Sequence, residues 1–350
     1  MATDSLLTRA LHVSFTFFLL CCSTLGRGVS PASAQQGSRE LLTARQLTDY
    51  YLYDVTWGNA QFVAVGNGSL NTTVALTSPD GVRWNKVSIG DSPGILESGE
   101  KPGALYGVAW KGPMFVAVGE RILISPDAQR WMVAATIPNC AFTRVAVNAS
   151  LFVAVGGFYG RGCLATSPDG RTWTDRTSAL ESNDSVLSDV IWTGSIFVAL
   201  GNTNRGRFGI TSVILTSPDG VTWTRQFGAN AFLMDVAWNG TVFVAVGGHA
   251  NQGVIFTSAD GRTWTQSRVN IFYPLRSVIC DSTKFVTVGI NGVLATSSDG
   301  QKWTNRKSGT TADLTSITWS DSGFVAVGKG MIVTSPDGTT WKDVTRATSP

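Results

Sequence analysis

The stretch "ILTSPDGVTWT", Ile214 to Thr224, decides the fold. A short apolar run enters a Ser-Pro-Asp-Gly turn, and a tryptophan leaves it. Proline presets φ, and glycine accepts the left-handed conformation that reverses the chain. The stretch is therefore a hairpin. It recurs as "SPDGVRW" (Ser78–Trp84), "SPDAQRW" (Ser125–Trp131), "SPDGRTW" (Ser167–Trp173), "SADGRTW" (Ser258–Trp264), "SSDGQKW" (Ser297–Trp303) and "SPDGTTW" (Ser335–Trp341). The closing tryptophans stand 38 to 50 residues apart.

Two further motifs keep step with the turn. "FVAVG" or a near copy begins at Phe62, Phe115, Phe152, Phe197, Phe243, Phe285 and Phe324. Ahead of it come "DVTW" at Asp54, "GVAW" at Gly107, "RVAV" at Arg144, "DVIW" at Asp189, "DVAW" at Asp235, "SVIC" at Ser277 and "SITW" at Ser316. Each period thus holds four short strands, A to D, with the turn between C and D. Four strands in about 40 residues is a propeller blade. The unbroken apolar "FVAV" suits a strand covered on both faces. We expect an all-β, seven-bladed propeller of four-stranded antiparallel blades over residues 50–346. The blades fall near 50–90, 104–136, 142–177, 187–227, 233–268, 275–307 and 314–346.

Composition agrees with this organisation. Only 15% of the 350 residues are charged, against 38 glycines and 12 tryptophans. Residues 1–34 read as a secretory signal peptide: Arg9 and His12, an apolar run, and an A-x-A site at Ala32 and Ala34. A secreted or periplasmic protein follows, with 35–49 as a lead-in and no membrane span after cleavage; the alternative is that the segment stays uncleaved as an anchor. Setting residues 1–34 aside leaves 25 basic and 23 acidic side chains. That balance gives no reason to expect nucleic acid as a partner.

The turn, S-x-D-G-x-x-W in six of its copies, resembles the Asp-box, or bacterial neuraminidase repeat. The box occurs in sialidases, xyloglucan-degrading hydrolases, sortilin-type receptors and a photosystem II assembly factor. The resemblance covers residues 50–345 and implies a seven-bladed propeller without choosing among those functions. Asp80, Asp127, Asp169, Asp219, Asp260, Asp299 and Asp337 are read as structural, each bonding to the N–H groups of its own turn. Seven symmetric carboxylates point apart and cannot converge on a substrate. Ala128 replaces glycine in the second turn, so strain of about 1 kcal/mol or another turn form is expected there.

In an A-B-C-D meander the A–B and C–D loops share one face, and here both are uniform. The B–C loops and D–A crossovers share the other face and vary widely. Variable loops on a fixed scaffold are where binding is placed. Tyr159, Arg161, Arg205, Arg207, Phe208, His249, Asn251, Tyr273 and Arg276 lie there and combine aromatic faces with planar donors. Such a set suits a carbohydrate or a protein loop. Asp54, Arg144, Asp189 and Asp235 open the inner strands and are expected to ring the channel mouth as a hydrated polar rim.

Catalysis finds less support. A sialidase needs an arginine triad and an Arg-Ile-Pro motif, and this chain has only "TIP" at Thr136–Pro138. The xyloglucan-type cleft needs two propellers. Glu97, Glu100, Glu181 and Asp184 sit in long crossovers, with no spacing that pairs them. His12 and His249 are the only histidines, which leaves no multi-histidine metal centre, and no cofactor is expected. Cys140 and Cys163 belong to one blade on the variable face, so a disulfide between them is open in an oxidising compartment. Cys280 replaces an inner-strand tryptophan and is expected as a buried thiol. The sequence reads as a monomeric, non-catalytic secreted propeller that binds a protein or a carbohydrate. Its alternatives are a sialidase-like glycoside hydrolase and an assembly factor like that of photosystem II. Residues 41–50 are expected either to add a strand to the last blade or to leave ring closure to packing alone.

Overall fold

The computed structural model describes residues 40–69, 72–89, 103–180, 185–204 and 210–346. Seven antiparallel sheets stand in a ring, each ordered A-B-C-D from the axis outward. The inner strands are Tyr51–Gly58, Leu105–Lys111, Phe142–Val147, Val186–Trp192, Phe232–Trp238, Leu275–Cys280 and Leu314–Ser320. Strand B of the first blade, Gln61–Asn67, shows why the ring holds. Val63 and Val65 pack toward the second blade, while Phe62 and Ala64 pack toward the seventh. The same division recurs at every interface, so each sheet is buried on both faces.

The turn between strands C and D is held by its own side chains. In the first blade Asp80 Oδ1 accepts the N–H groups of Val82 and Arg83 at 2.9 and 2.8 Å. Ser78 Oγ accepts the Gly81 N–H at 2.8 Å, and Trp84 Nε1 donates to the Gly81 carbonyl at 2.8 Å. Six of the turn glycines have φ between 69° and 75°. Ala128 takes the left-handed conformation as well, at φ 58°, and keeps the Asp127 bonds to the Gln129 and Arg130 N–H groups. That turn therefore keeps its form despite the Cβ. These bonds hold the turn aspartates below the usual carboxylate range, Asp260 at about 2.

The lead-in does not join the last blade. Glu40–Leu41 pairs with Asn85 and Lys86 as a fifth strand outside the first blade. A one-turn helix, Ala44–Leu47, follows a Thr43–Gln46 capping box. Leu42 and Leu47 enter the core shared by the first and seventh blades. Those two blades meet by side-chain packing, a Tyr51–Lys329 bridge and a Gly330 N–H to Tyr50 carbonyl bond of 2.8 Å. Among the described residues no helix is long and apolar enough to cross a membrane. Residues 1–34, with the signal assignment, lie outside the described residues.

Candidate functional site

All seven inner strands share one irregularity. The register against strand B shifts at Leu52/Asp54, Leu105/Gly107, Phe142/Arg144, Leu187/Asp189, Leu233/Asp235, Leu275/Ser277 and Leu314/Ser316. A bulge leaves one residue unpaired and re-aims its side chain. Here the unpaired residues are Tyr53, Tyr106, Thr143, Ser188, Met234, Arg276 and Thr315. All seven line one cavity at the channel mouth, of about 520 Å³. The residues that follow them, Asp54, Gly107, Arg144, Asp189, Asp235, Ser277 and Ser316, form a second ring below.

The lower ring is a closed circuit of links between neighbouring blades. Asp54 accepts the Val108 N–H at 2.8 Å. Arg144 reaches back to the Tyr106 carbonyl at 2.7 Å and forward to Asp189 at 4.0 Å. Asp189 accepts the Val236 N–H at 3.0 Å, and Asp235 accepts the Val278 N–H at 2.8 Å. Ser277 Oγ accepts the Ile317 N–H at 3.3 Å, and Ser316 donates to Asp54 at 2.7 Å. The circuit corrects the expectation of a hydrated rim. Asp54, Asp189 and Asp235 are 8%, 3% and 8% exposed and lie beneath the mouth, because the bulge hands the mouth to the preceding residue.

Charge in this ring is tightly confined. Burial pushes the Asp54 carboxyl up, against the pull of Arg144 and the Ser316 hydroxyl. Asp189 is held well above the ordinary range, first by burial and then by the adjacent Asp235 carboxylate, which also hydrogen-bonds to it. Burial pulls the Arg144 guanidinium down, but Asp54, Asp189 and Asp235 outweigh it and keep the group cationic. Perturbed carboxylates mark catalytic sites in many enzymes. These carboxylates spend their oxygens on the main-chain N–H groups of adjacent blades, which is structural work. Among the described residues no group of three or more His, Cys, Asp and Glu could hold a metal ion.

The upper ring is open and unevenly furnished. Tyr51 and Tyr53 stack with ring centroids 4.6 Å apart, and Tyr106 meets Tyr53 edge-on at 5.0 Å. Burial raises the Tyr53 phenol, with Tyr106 and Tyr51 adding to it, and burial with Glu120 raises Tyr106. Both stay protonated near neutrality. Phe232 and Met234 line the cavity from the fifth blade, Arg276 from the sixth and Asp313 from the seventh.

Of the residues singled out in the sequence, Arg276 and Arg144 line this cavity. Tyr159 is 91% exposed on the third blade's B–C turn at φ 48°, with its ring edge-on to Phe158 at 4.3 Å. Arg161, His249, Asn251 and Tyr273 are exposed on hairpins and crossovers of the same face and do not line the cavity. Arg205, Arg207 and Phe208 lie outside the described residues, as do Glu97, Glu100, Glu181 and Asp184. Cys140 is bonded to Cys163. Cys280 is a free thiol and is only half-buried, which corrects the expectation of a buried one; burial still pushes its pKa up. Sequence reasoning missed Tyr51, Tyr53, Tyr106, Phe232 and Met234. For Tyr53, Tyr106 and Met234 the signal was a position at which the seven repeats disagree: Tyr, Tyr, Thr, Ser, Met, Arg, Thr.

No protein-family model and no curated protein matches the sequence. Solved structures do share its shape. YCF48 from Cyanidioschyzon merolae is similar with a TM-score of 0.58 at 14% identity, over 81% of this chain and 94% of that one. The WD40 β-propeller domain of Doa1 gives 0.58 at 11% identity, over 82% and 92%. The Pan2 WD40 domain of Neurospora crassa gives 0.57 at 12%, over 82% and 90%. The likeness is one of fold. It transfers no ligand to this chain.

Proposed function

We propose that this chain is a non-catalytic binding propeller that recognises a protein or carbohydrate partner at the mouth of its central channel, on the face of the B–C loops and crossovers. One observation carries the reading. The bulged residues of four blades turn large side chains, Tyr53, Tyr106, Met234 and Arg276, into a single open cavity, above a ring fully occupied with structural bonds. Apolar and aromatic walls with a few polar groups are the usual furnishing of a ligand site. The Cys140–Cys163 bond and the signal-like residues 1–34 support a secreted or periplasmic setting.

A glycan array run beside an affinity capture of soluble partners, both with wild-type protein and with Tyr53→Ala/Tyr106→Ala, tests this. Loss of the bound partner in the double variant, with the thermal midpoint unchanged, is the expected result. Turnover of a fluorogenic glycoside, abolished by changing one crossover carboxylate, would replace it with the hydrolase alternative. The assembly-factor alternative shares the fold and rests on the resemblance alone.

A further inference from the structure

The upper ring contains two kinds of residue, and only one of them is free to meet a ligand. In the third, fourth and seventh blades the bulged position is a small hydroxyl that is already engaged. Thr143 Oγ1 donates to the Leu187 carbonyl at 2.9 Å, Ser188 Oγ to the Leu233 carbonyl at 2.9 Å, and Thr315 Oγ1 to the Leu52 carbonyl at 2.6 Å. Each bond stitches its blade to the next. Asn202 is engaged too: its amide donates to the Leu233 carbonyl at 2.7 Å and accepts the Leu233 N–H at 2.9 Å. A hydroxyl has one proton to give, so these three hydroxyls donate nothing to a guest and can only accept from one.

What remains among the described residues is aromatic faces with their phenol hydroxyls, a thioether and one cation without an anionic partner. Arg276 makes no ion pair or hydrogen bond with any described residue. Of the other charges lining the cavity, Arg144 is held by the lower ring, while Asp313, from the seventh blade, accepts the Asn291 N–H at 2.9 Å with one carboxylate oxygen. A neutral sugar would bring several hydroxyls into a cavity with few free partners, and each one left unpaired costs binding. A cationic guest would meet Arg276. An apolar body carrying one carboxylate matches the aromatic walls and gives Arg276 its anionic partner. The body lies against Tyr53, Tyr106, Phe232 and Met234, and the guanidinium takes the two carboxylate oxygens in its planar fork.

We infer that the channel mouth binds organic anions composed of an apolar body and one carboxylate. Such a group comes either as a free small acid or as adjacent apolar and acidic side chains at the tip of a protein partner. The inference rests on the mouth being the binding site, and it narrows the occupant to a carboxylate in preference to a neutral carbohydrate.

Calorimetric titration of the full chain tests it, with four probes. These are 3-phenylpropionate, its neutral isostere 3-phenylpropanamide, the capped dipeptide N-acetyl-Phe-Asp-amide, and cellotriose. The acid is expected to bind at millimolar concentration and the amide about tenfold more weakly, the effect of one charge-assisted pair. Arg276→Gln erases that difference and Arg276→Lys keeps part of it. Tyr106→Ala weakens acid and amide together. Tighter binding of the dipeptide than of the free acid assigns the protein source, and the reverse order assigns the small acid. Equal binding of acid and amide overturns the inference, as does the absence of any acid binding or an acid affinity untouched by Arg276→Gln. Cellotriose binding lost in Tyr106→Ala also overturns it, but leaves the mouth as the recognition site. Acid binding that survives both Arg276→Gln and Tyr106→Ala ends both readings. Arg276 and Tyr106 are only partly buried, so an unchanged thermal midpoint shows that each variant is folded.

Discussion

Asp189 shows how a single side chain serves the ring. Its carboxyl lies beside Asp235, accepts the Val236 N–H and is almost wholly buried. Ionising it there places a second negative charge against Asp235 in a poorly solvated site. An amide of the same shape still accepts the Val236 N–H and cannot ionise. Asp189→Asn is therefore expected to unfold in urea at neutral pH no earlier than wild type, with a gain of up to about 1 kcal/mol. A loss greater than about 2 kcal/mol would show that the ionised carboxylate is needed. Arg144 stands in the opposite position. Its guanidinium neutralises this ring and fills the Tyr106 carbonyl. Arg144→Met leaves buried carboxylates without their cation, and a loss of about 3 kcal/mol is expected in the same urea experiment.

Among the elements, strand B shows what repetition conceals. The glycine that ends "FVAVG" recurs in every blade, and the sequence marks it as fixed without saying why. The structure supplies the reason: in six blades the main chain at the start of the inner strand presses against that residue, and in the fourth the Leu187 and Val213 side chains crowd Gly201. A Cβ on Gly247 would overlap the Phe232 carbonyl oxygen, and one on Gly328 the Asp313 carbonyl oxygen. Gly247 needs no special φ, so the constraint is closeness alone. Gly160 is the contrasting case, at φ 82° with nothing within 4 Å of an added Cβ. Gly247→Ala is expected to cost at least about 2 kcal/mol through displaced backbone, and Gly160→Ala only about 1 kcal/mol of left-handed strain. Equal shifts of the two urea midpoints would remove the close-packing account. The turn and strand B were legible in the sequence because their chemistry is identical in each copy. The mouth was not, because a ligand site on a repeat fold occupies the position where the copies differ. Tyr53 and Arg276 are the same residue of the blade, and no shared pattern joins them.

For the whole molecule, closure and electrostatics combine. The ring closes without exchanging a strand, so the junction of the first and seventh blades depends on packing by Leu42, Leu47 and Val327, and on the Ser316–Asp54 bond. Asp54 therefore sits at once in the buried circuit and at the seam. Two sets of carboxylates act on stability in opposite senses. Asp54 and Asp189 titrate above their unfolded value near 3.8, so their ionised forms weaken the fold at neutral pH. That penalty is relieved as pH falls through their raised folded values. The turn aspartates, Asp80, Asp127, Asp169, Asp219, Asp260, Asp299 and Asp337, titrate below their unfolded value, Asp260 at about 2. Their stabilisation is complete above about pH 4 and is lost as pH falls through the depressed folded values. The thermal midpoint should therefore rise from neutral pH into mild acid and then fall steeply from about pH 4 toward 2. Scanning calorimetry at constant ionic strength reads this directly. Asp189→Asn should flatten the upper limb and leave the acid limb in place, whereas Asp260→Asn should blunt only the acid limb. A midpoint that declines steadily from neutral pH downward would mean that the buried ring carries no titratable penalty, its carboxylates being offset by Arg144 together with the N–H groups they accept.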